Sequence, residues 1–163
     1  MKIAPTSPSF SHLDASGHAR MVDVSAKPDS HRTAIAEGRL HCAAATIDLL
    51  RAQALPKGDV LTVAQIAGLQ AAKATSTLIP LCHPLALTGA SLEFSVEPTS
   101  ILIRATVRST GQTGVEMEAL TAVSVACLTL YDMLKAADKG MVIEAVRLLE
   151  KSGGRSGDFK RAE

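Results

Sequence analysis

At 163 residues the chain has room for one core, and 47% hydrophobic residues fill it, yet aromatics are only 2%, with no Trp, one Tyr and three Phe. Ala, Val, Leu and Ile must therefore build that core, and base-stacking nucleic-acid modules, which need exposed aromatic platforms, are excluded. A net charge of +1 gives no global field for DNA or a membrane surface, so any basic site must be local.

Residues 1–20 are rich in Ser, Pro, His and Gly without a sustained period and read as a flexible N-terminal arm. The opening MKIAPTSPSF lacks the apolar run of a signal peptide, and three scattered cysteines (Cys42, Cys82, Cys127) offer no CxxC pair. A cytoplasmic setting is expected. The run from His31 to Cys42 predicts a strand interrupted at Gly38. AAATIDLLRAQA predicts a short helix stopped by Pro56, followed by the turn Lys57-Gly58-Asp59. Thr62 and Gln65 match a capping box for a second helix, with Leu61 and Ile66 as a hydrophobic staple. That helix carries Lys73 near its end and breaks by Pro80.

Leu92, Phe94 and Val96 alternate with Glu93, Ser95 and Glu97; past the turn at residues 97–100, Ile101, Ile103, Ala105 and Val107 alternate with residues including Arg104 and Arg108. This predicts a β-hairpin with one dry and one wetter face. GVEMEALTAVSVACLTLYDMLK predicts one long helix, apolar almost all round. MVIEAVRLL (141–149) reads as a last strand, with a helical continuation as its alternative. The element order is that of an α+β, ferredoxin-like split β-α-β-β-α-β fold, an antiparallel sheet with helices on one face. Residues 21–151 then form a single α+β domain, and 152–163 a flexible Gly-rich tail. An open sheet face and an all-round apolar helix are more apolar surface than one chain covers, which predicts oligomer interfaces.

Between Glu118 and Asp132 the long helix carries no charge. Asp132 and Lys135 fall about 60° apart on the helical wheel, beside Leu128. Two readings stand: an exposed flank of an ordinary amphipathic helix, or a site in which a carboxylate and an ammonium tune each other. Leu81-Cys82-His83-Pro84 pairs a thiol with an imidazole, but neighbouring side chains in extended backbone point apart and seldom share a metal. His83 is either a structural loop residue or a hydrogen-bonding or proton-transfer group. Glu116-Met117-Glu118 opens the long helix, and its carboxylates either complement the helix dipole or meet the donors of a guanine-like ring. Arg32, Lys57, Lys73, Lys135, Lys151 and Arg155 are either solvated surface or, brought together, a phosphate site. Neither a P-loop nor a dinucleotide fingerprint is present.

Six strings carry a resemblance: MVDVSAK (21–27), KGDV (57–60), AGLQAAK (67–73), LIPLCHP (78–84), TGVEMEALTAVSVACLTLYDMLK (113–135) and KSGGRSGDFK (151–160). Together they resemble the cyclic pyranopterin monophosphate synthase family of molybdenum cofactor biosynthesis. The resemblance implies a lyase that converts 3′,8-cyclo-7,8-dihydroguanosine 5′-triphosphate into cyclic pyranopterin monophosphate and diphosphate. It implies a ferredoxin-like fold assembled as a homohexamer, a trimer of dimers with sites at the dimer interface. Catalytic roles fall on Asp132, Lys135 and Lys57. Substrate contacts fall on Leu81, Cys82, His83, Met117 and Glu118, and pocket positions on Asp23, Arg32, Lys73, Glu116 and Lys151. Arg155 stands where a Lys is common and Gly140 where an acidic residue is frequent. No resident cofactor or metal site is expected; Mg²⁺ would ride on the triphosphate. The competing class is a non-enzymatic nucleotide-binding oligomer.

Overall fold

The computed structural model describes residues 12–14, 16–55 and 57–162; residues 1–11 and 15 of the predicted arm, Pro56 and Glu163 lie outside these. The chain runs β1 (Ser30–His41), α1 (Ala44–Arg51), α2 (Val60–Lys73), α3 (Thr75–Leu78), β2 (Leu87–Val96), β3 (Ser100–Gly111), α4 (Glu116–Leu134), β4 (Val142–Ser152) and β5 (Phe159–Lys160). The strands form one sheet in the order β2-β3-β1-β4-β5, every pair antiparallel. This is the α+β split arrangement expected of the element order: β3 inserts between β1 and β2, and α4 packs on β1, β3 and β4.

Alternation decides which side of each strand is dry. Ala34, Ala36 and Leu40 of β1 and Ile101, Ile103, Ala105 and Val107 of β3 are fully buried under the helices. The opposite face is polar and internally paired. Glu37 accepts from Arg147 at 2.7 and 3.0 Å and from Arg104 at 3.2 Å. Burial pushes the Glu37 carboxyl up, but the two guanidiniums outweigh it and hold the group below its ordinary range. Arg39, Glu97 and Ser100 form a second cluster at the hairpin end.

With few aromatics available, the core closes by bringing backbones together. Gly38 does not interrupt β1; it makes room for α4. A Cβ there would meet Val123 Cγ1 at 2.6 Å and Cys127 Sγ at 3.3 Å. Gly68 of α2 does the same between the helices, where a Cβ would lie 3.0 Å from the Ala122 carbonyl and against Leu92. So α4 is covered by the sheet on one side and by α2 on another, which accounts for much of its apolar circumference.

Three local readings change. The cap of α2 is Asp59, not Thr62: its carboxylate accepts from the Thr62 N–H at 3.0 Å and from the Thr62 hydroxyl at 2.5 Å. An ionised carboxylate at the positive helix end outcompetes a hydroxyl, so the helix starts at Val60. The staple does not form, because Ile66 is 51% exposed while Leu61 packs on the core. The segment after α4 is the strand expected there, β4, but the Gly-rich tail, read as flexible, carries β5, which pairs Glu150 with Lys160 and Lys151 with Phe159.

Gly38→Ala should therefore destabilise the chain by about 1–3 kcal/mol, measured as a shift in the denaturant midpoint. Gly89→Ala, where a Cβ meets nothing within 4 Å, should stay within about 0.5 kcal/mol of the parent. Equal effects at both positions would contradict close approach as the role of Gly38.

Candidate active site

Two clefts meet at the N-terminus of α4. The first encloses about 570 Å³ and is lined by Lys27, Arg32, Lys151 and Arg155, with Glu116 as its carboxylate and Gly153, Gly154 and Ser156 closing one wall. Its cations come from different elements: Arg32 from β1, Lys151 from β4, and Arg155 from the turn between β4 and β5. Arg32 is buried, and its Nε donates to the Gly111 carbonyl at 3.3 Å. Gly154 must lack a side chain because its Cβ would land in the Arg32 guanidinium, and Gly153 takes φ +91°, which favours glycine. Lys151 donates to Ser156 Oγ at 2.5 Å and lies 3.7 Å from Glu116. The scattered basic residues thus converge into an anion-sized cradle built partly from the Gly-rich tail.

The second cleft, about 400 Å³, is lined by Val22, Val24, Lys27, Leu81, Cys82, His83, Glu116, Met117 and Glu118 among others. His83 Nε2–H donates to the Val22 carbonyl at 2.8 Å, which leaves Nδ1 as the ring acceptor. Glu118 is 3% exposed. Burial pushes its carboxyl above the usual range, its own main-chain N–H works against this, and the Glu116 charge adds to the rise. Burial, and then the Glu118 charge, also push the Cys82 thiol up, so Cys82 stands there as a thiol and not as an activated nucleophile. The cleft therefore mixes apolar walls with a few polar groups, among them the Glu118 carboxyl, the Cys82 thiol and the His83 ring. Asp23 does not line it; its carboxylate fixes the preceding loop by accepting from the Ser25 N–H at 2.9 Å and hydroxyl at 2.7 Å.

Asp132, Lys135 and Lys57 do gather, but elsewhere. Lys135 Nζ lies 2.6 Å from Asp132 Oδ1, and Lys57 Nζ lies 3.1 Å from Oδ2 and 2.9 Å from the Asp132 carbonyl. Each carboxylate oxygen thus holds one ammonium, and Lys57 also caps the negative end of α4. The Lys135 hydrogen bond first, then that from Lys57, holds Asp132 below the ordinary carboxylate range, and Asp132 in turn raises Lys135. Within one chain the pair lies on an exposed flank of the helix, with the Asp132 and Lys135 side chains 57% and 52% exposed. At about 1.5 Å rise per residue, Glu116 and Asp132 are roughly 24 Å apart along α4. Lys73 lines neither cleft. Contacts of Gly68 with Ala122 and of Lys57 with Asp132 set α2 antiparallel to α4, so Lys73 lies towards the cleft end.

Lys27, Thr113 and Gly114 line both clefts and were not singled out as site residues, although Lys27 ends the string MVDVSAK and Thr113-Gly114 opens the long-helix string. Among the described residues no three His, Cys, Asp or Glu side chains converge as a metal cluster.

Because the folded-state Glu118 carboxyl is raised, the folded chain binds its proton more tightly than the unfolded chain. Stability from this group is then present at low pH and lost as pH rises above about 4, the ordinary glutamate value. Glu118→Gln should melt at a higher temperature than the parent at pH 8, and the gap should close on acidification. A gap independent of pH would contradict a strained Glu118.

A model of the MoaC family matches residues 21–154. A cyclic pyranopterin monophosphate synthase of Novosphingobium aromaticivorans is 58% identical over 154 residues, 94% of this chain and 98% of that protein. Proteins of the same name from Desulfitobacterium hafniense (58%, covering 94% of this chain and 95% of that one) and Chloroflexus aggregans (59%, covering 94% of both) are similarly close. The chain belongs to the MoaC family.

Proposed function

We propose that the chain is a cytoplasmic phosphorus–oxygen lyase that converts cyclised dihydroguanosine triphosphate into cyclic pyranopterin monophosphate and diphosphate. The observation that carries this reading, in a chain of this family, is the pair of clefts sharing one wall at the head of α4. One is cationic and fits a triphosphate; the other is a slot with a buried carboxyl and fits a guanine-derived ring.

Opening the ring and rebuilding it as a pterin needs several proton transfers. Glu118, whose carboxyl holds its proton more tightly than an ordinary glutamate, His83, and the Asp132–Lys135–Lys57 trio, which joins a held carboxylate to two ammoniums, are the groups that would move them. Closure of the cyclic phosphate is an attack of a sugar hydroxyl on the α-phosphorus with diphosphate leaving. Arg32, Lys151 and Arg155, which line the cationic cleft, would neutralise the departing charge, and Mg²⁺ would arrive on the triphosphate itself.

One chain cannot bring the trio to its own cleft, because the folded rod of α4 keeps them roughly 24 Å apart. The trio of one protomer therefore completes the cleft of another, as in a homohexamer built from dimers. Leu128, 59% exposed beside Asp132, and Met117, 37% exposed beside the cleft, are apolar surface that such a contact would cover.

Incubation with the cyclised nucleotide should release diphosphate and form product. Asp132→Asn should lower that rate by about 100-fold or more while changing nucleotide affinity by less than about threefold. Near-normal turnover would remove Asp132 from the mechanism. Unchanged nucleotide recovered from the parent protein would favour a nucleotide-binding oligomer over an enzyme.

A further inference from the structure

We propose that Lys27 is a catalytic residue of the cyclisation step, its ammonium holding the α-phosphate of the bound nucleotide at the junction of the two clefts. The inference rests on the synthase reading above and assigns a residue to one step of it. Of the residues lining both clefts (Lys27, Thr113, Gly114 and Glu116), Lys27 is the only cation. A nucleotide with its ring in the slot and its β- and γ-phosphates among Arg32, Lys151 and Arg155 must pass its sugar and α-phosphate through that junction. The charge there then falls on the one phosphorus at which bonds form and break.

Lys27 is also free for the task and held in place. Arg32 is committed to the Gly111 carbonyl, and Lys151 to Ser156 and Glu116. Lys27 enters no ion pair among the described residues. Its backbone N–H closes a turn onto the Val24 carbonyl at 2.8 Å, and the Asp23–Ser25 hydrogen bonds brace the same turn. The Val22 carbonyl accepts from His83, so the loop presenting Lys27 is tied to the ring slot itself.

In the closure, a sugar hydroxyl oxygen forms a bond to the α-phosphorus and its proton passes to the Glu116 carboxylate in the same junction. The bond from phosphorus to the bridging oxygen breaks, and diphosphate leaves with the electron pair. Negative charge grows on the non-bridging α-oxygens as five oxygens crowd the phosphorus. An ammonium fixed there stabilises that state more than it stabilises the bound substrate.

The test uses the full-length protein, the cyclised nucleotide in single-turnover assays, and inorganic diphosphate as a binding probe in calorimetry. Lys27→Met should slow diphosphate release about 100-fold while changing inorganic diphosphate affinity less than about threefold, because the distal cations remain. Lys151→Met should do the reverse at the binding step, weakening diphosphate affinity by about tenfold or more. Lys27→Arg, which keeps the charge, should recover release to within about tenfold of the parent. Parent-like release by Lys27→Met, or diphosphate affinity falling as far in it as in Lys151→Met, would overturn the assignment. Failure of Lys27→Arg to recover any release would also overturn it. Absence of release from the parent protein would instead overturn the synthase reading on which it rests.

Discussion

The close approach of α4 to β1 and α2 is the constraint on which the remaining structure depends. A chain with so few aromatics cannot fill gaps with large rings, so it removes the gaps. Gly38 lets the helix settle onto the sheet, Gly68 lets α2 settle onto the helix, and Ala119, Ala122 and Ala126 present flat, fully buried surface to both. The result is a straight, tightly held rod with few ways to bend. Its two ends are therefore fixed points, and each end has been given a different chemistry.

At the head of the rod, backbone N–H groups and a dry environment surround carboxyl groups, and the neighbouring loops bring in cations. A buried Glu118 carboxyl, raised above its ordinary range, stands there near Arg32, Lys151 and Arg155 of the adjoining cationic cleft. At the tail, the negative end of the helix dipole would repel Asp132, and two lysines reverse that penalty. An ion pair this exposed contributes little to stability. Its place on an otherwise apolar helix fits the catalytic role proposed for it.

Much of the fold was legible because alternation and helical period are strong in this chain. The hairpin faces followed from where Leu92, Phe94, Ile101, Ile103, Ala105 and Val107 fall, the long helix from the apolar run after Glu118, and the split arrangement from the order of the elements. The α2 cap was misread because the Thr62–Gln65 pattern also fits a helix that starts earlier, and only the Asp59 carboxylate decides between them. Gly38 looked like a break because its reason, Val123 on a distant helix, is invisible to local sequence. Asp132, Lys135 and Glu118 stood out as charges in apolar company. Lys27 did not, since a lysine in a short loop has no local pattern to mark it, and its meaning comes from Thr113 and Glu116 across the cleft. Nor does spacing along a chain show that Arg32, Lys151 and Arg155 converge, because three separate elements carry them.

Under the proposed function the separation of the two ends makes the site a property of the assembly, and mixing two inactive variants tests that directly. Asp132→Asn lacks a working trio and keeps its cleft; the double variant Lys27→Met/Lys151→Met lacks a working cleft and keeps its trio. Unfolded together and reassembled, the two should form some sites with both halves intact, about a quarter of the total for random pairing of chains across a two-chain site. Diphosphate release from the cyclised nucleotide should then return to about a quarter of the parent rate, where each variant alone releases almost none. No recovery in a fully assembled mixture would contradict a site divided between protomers.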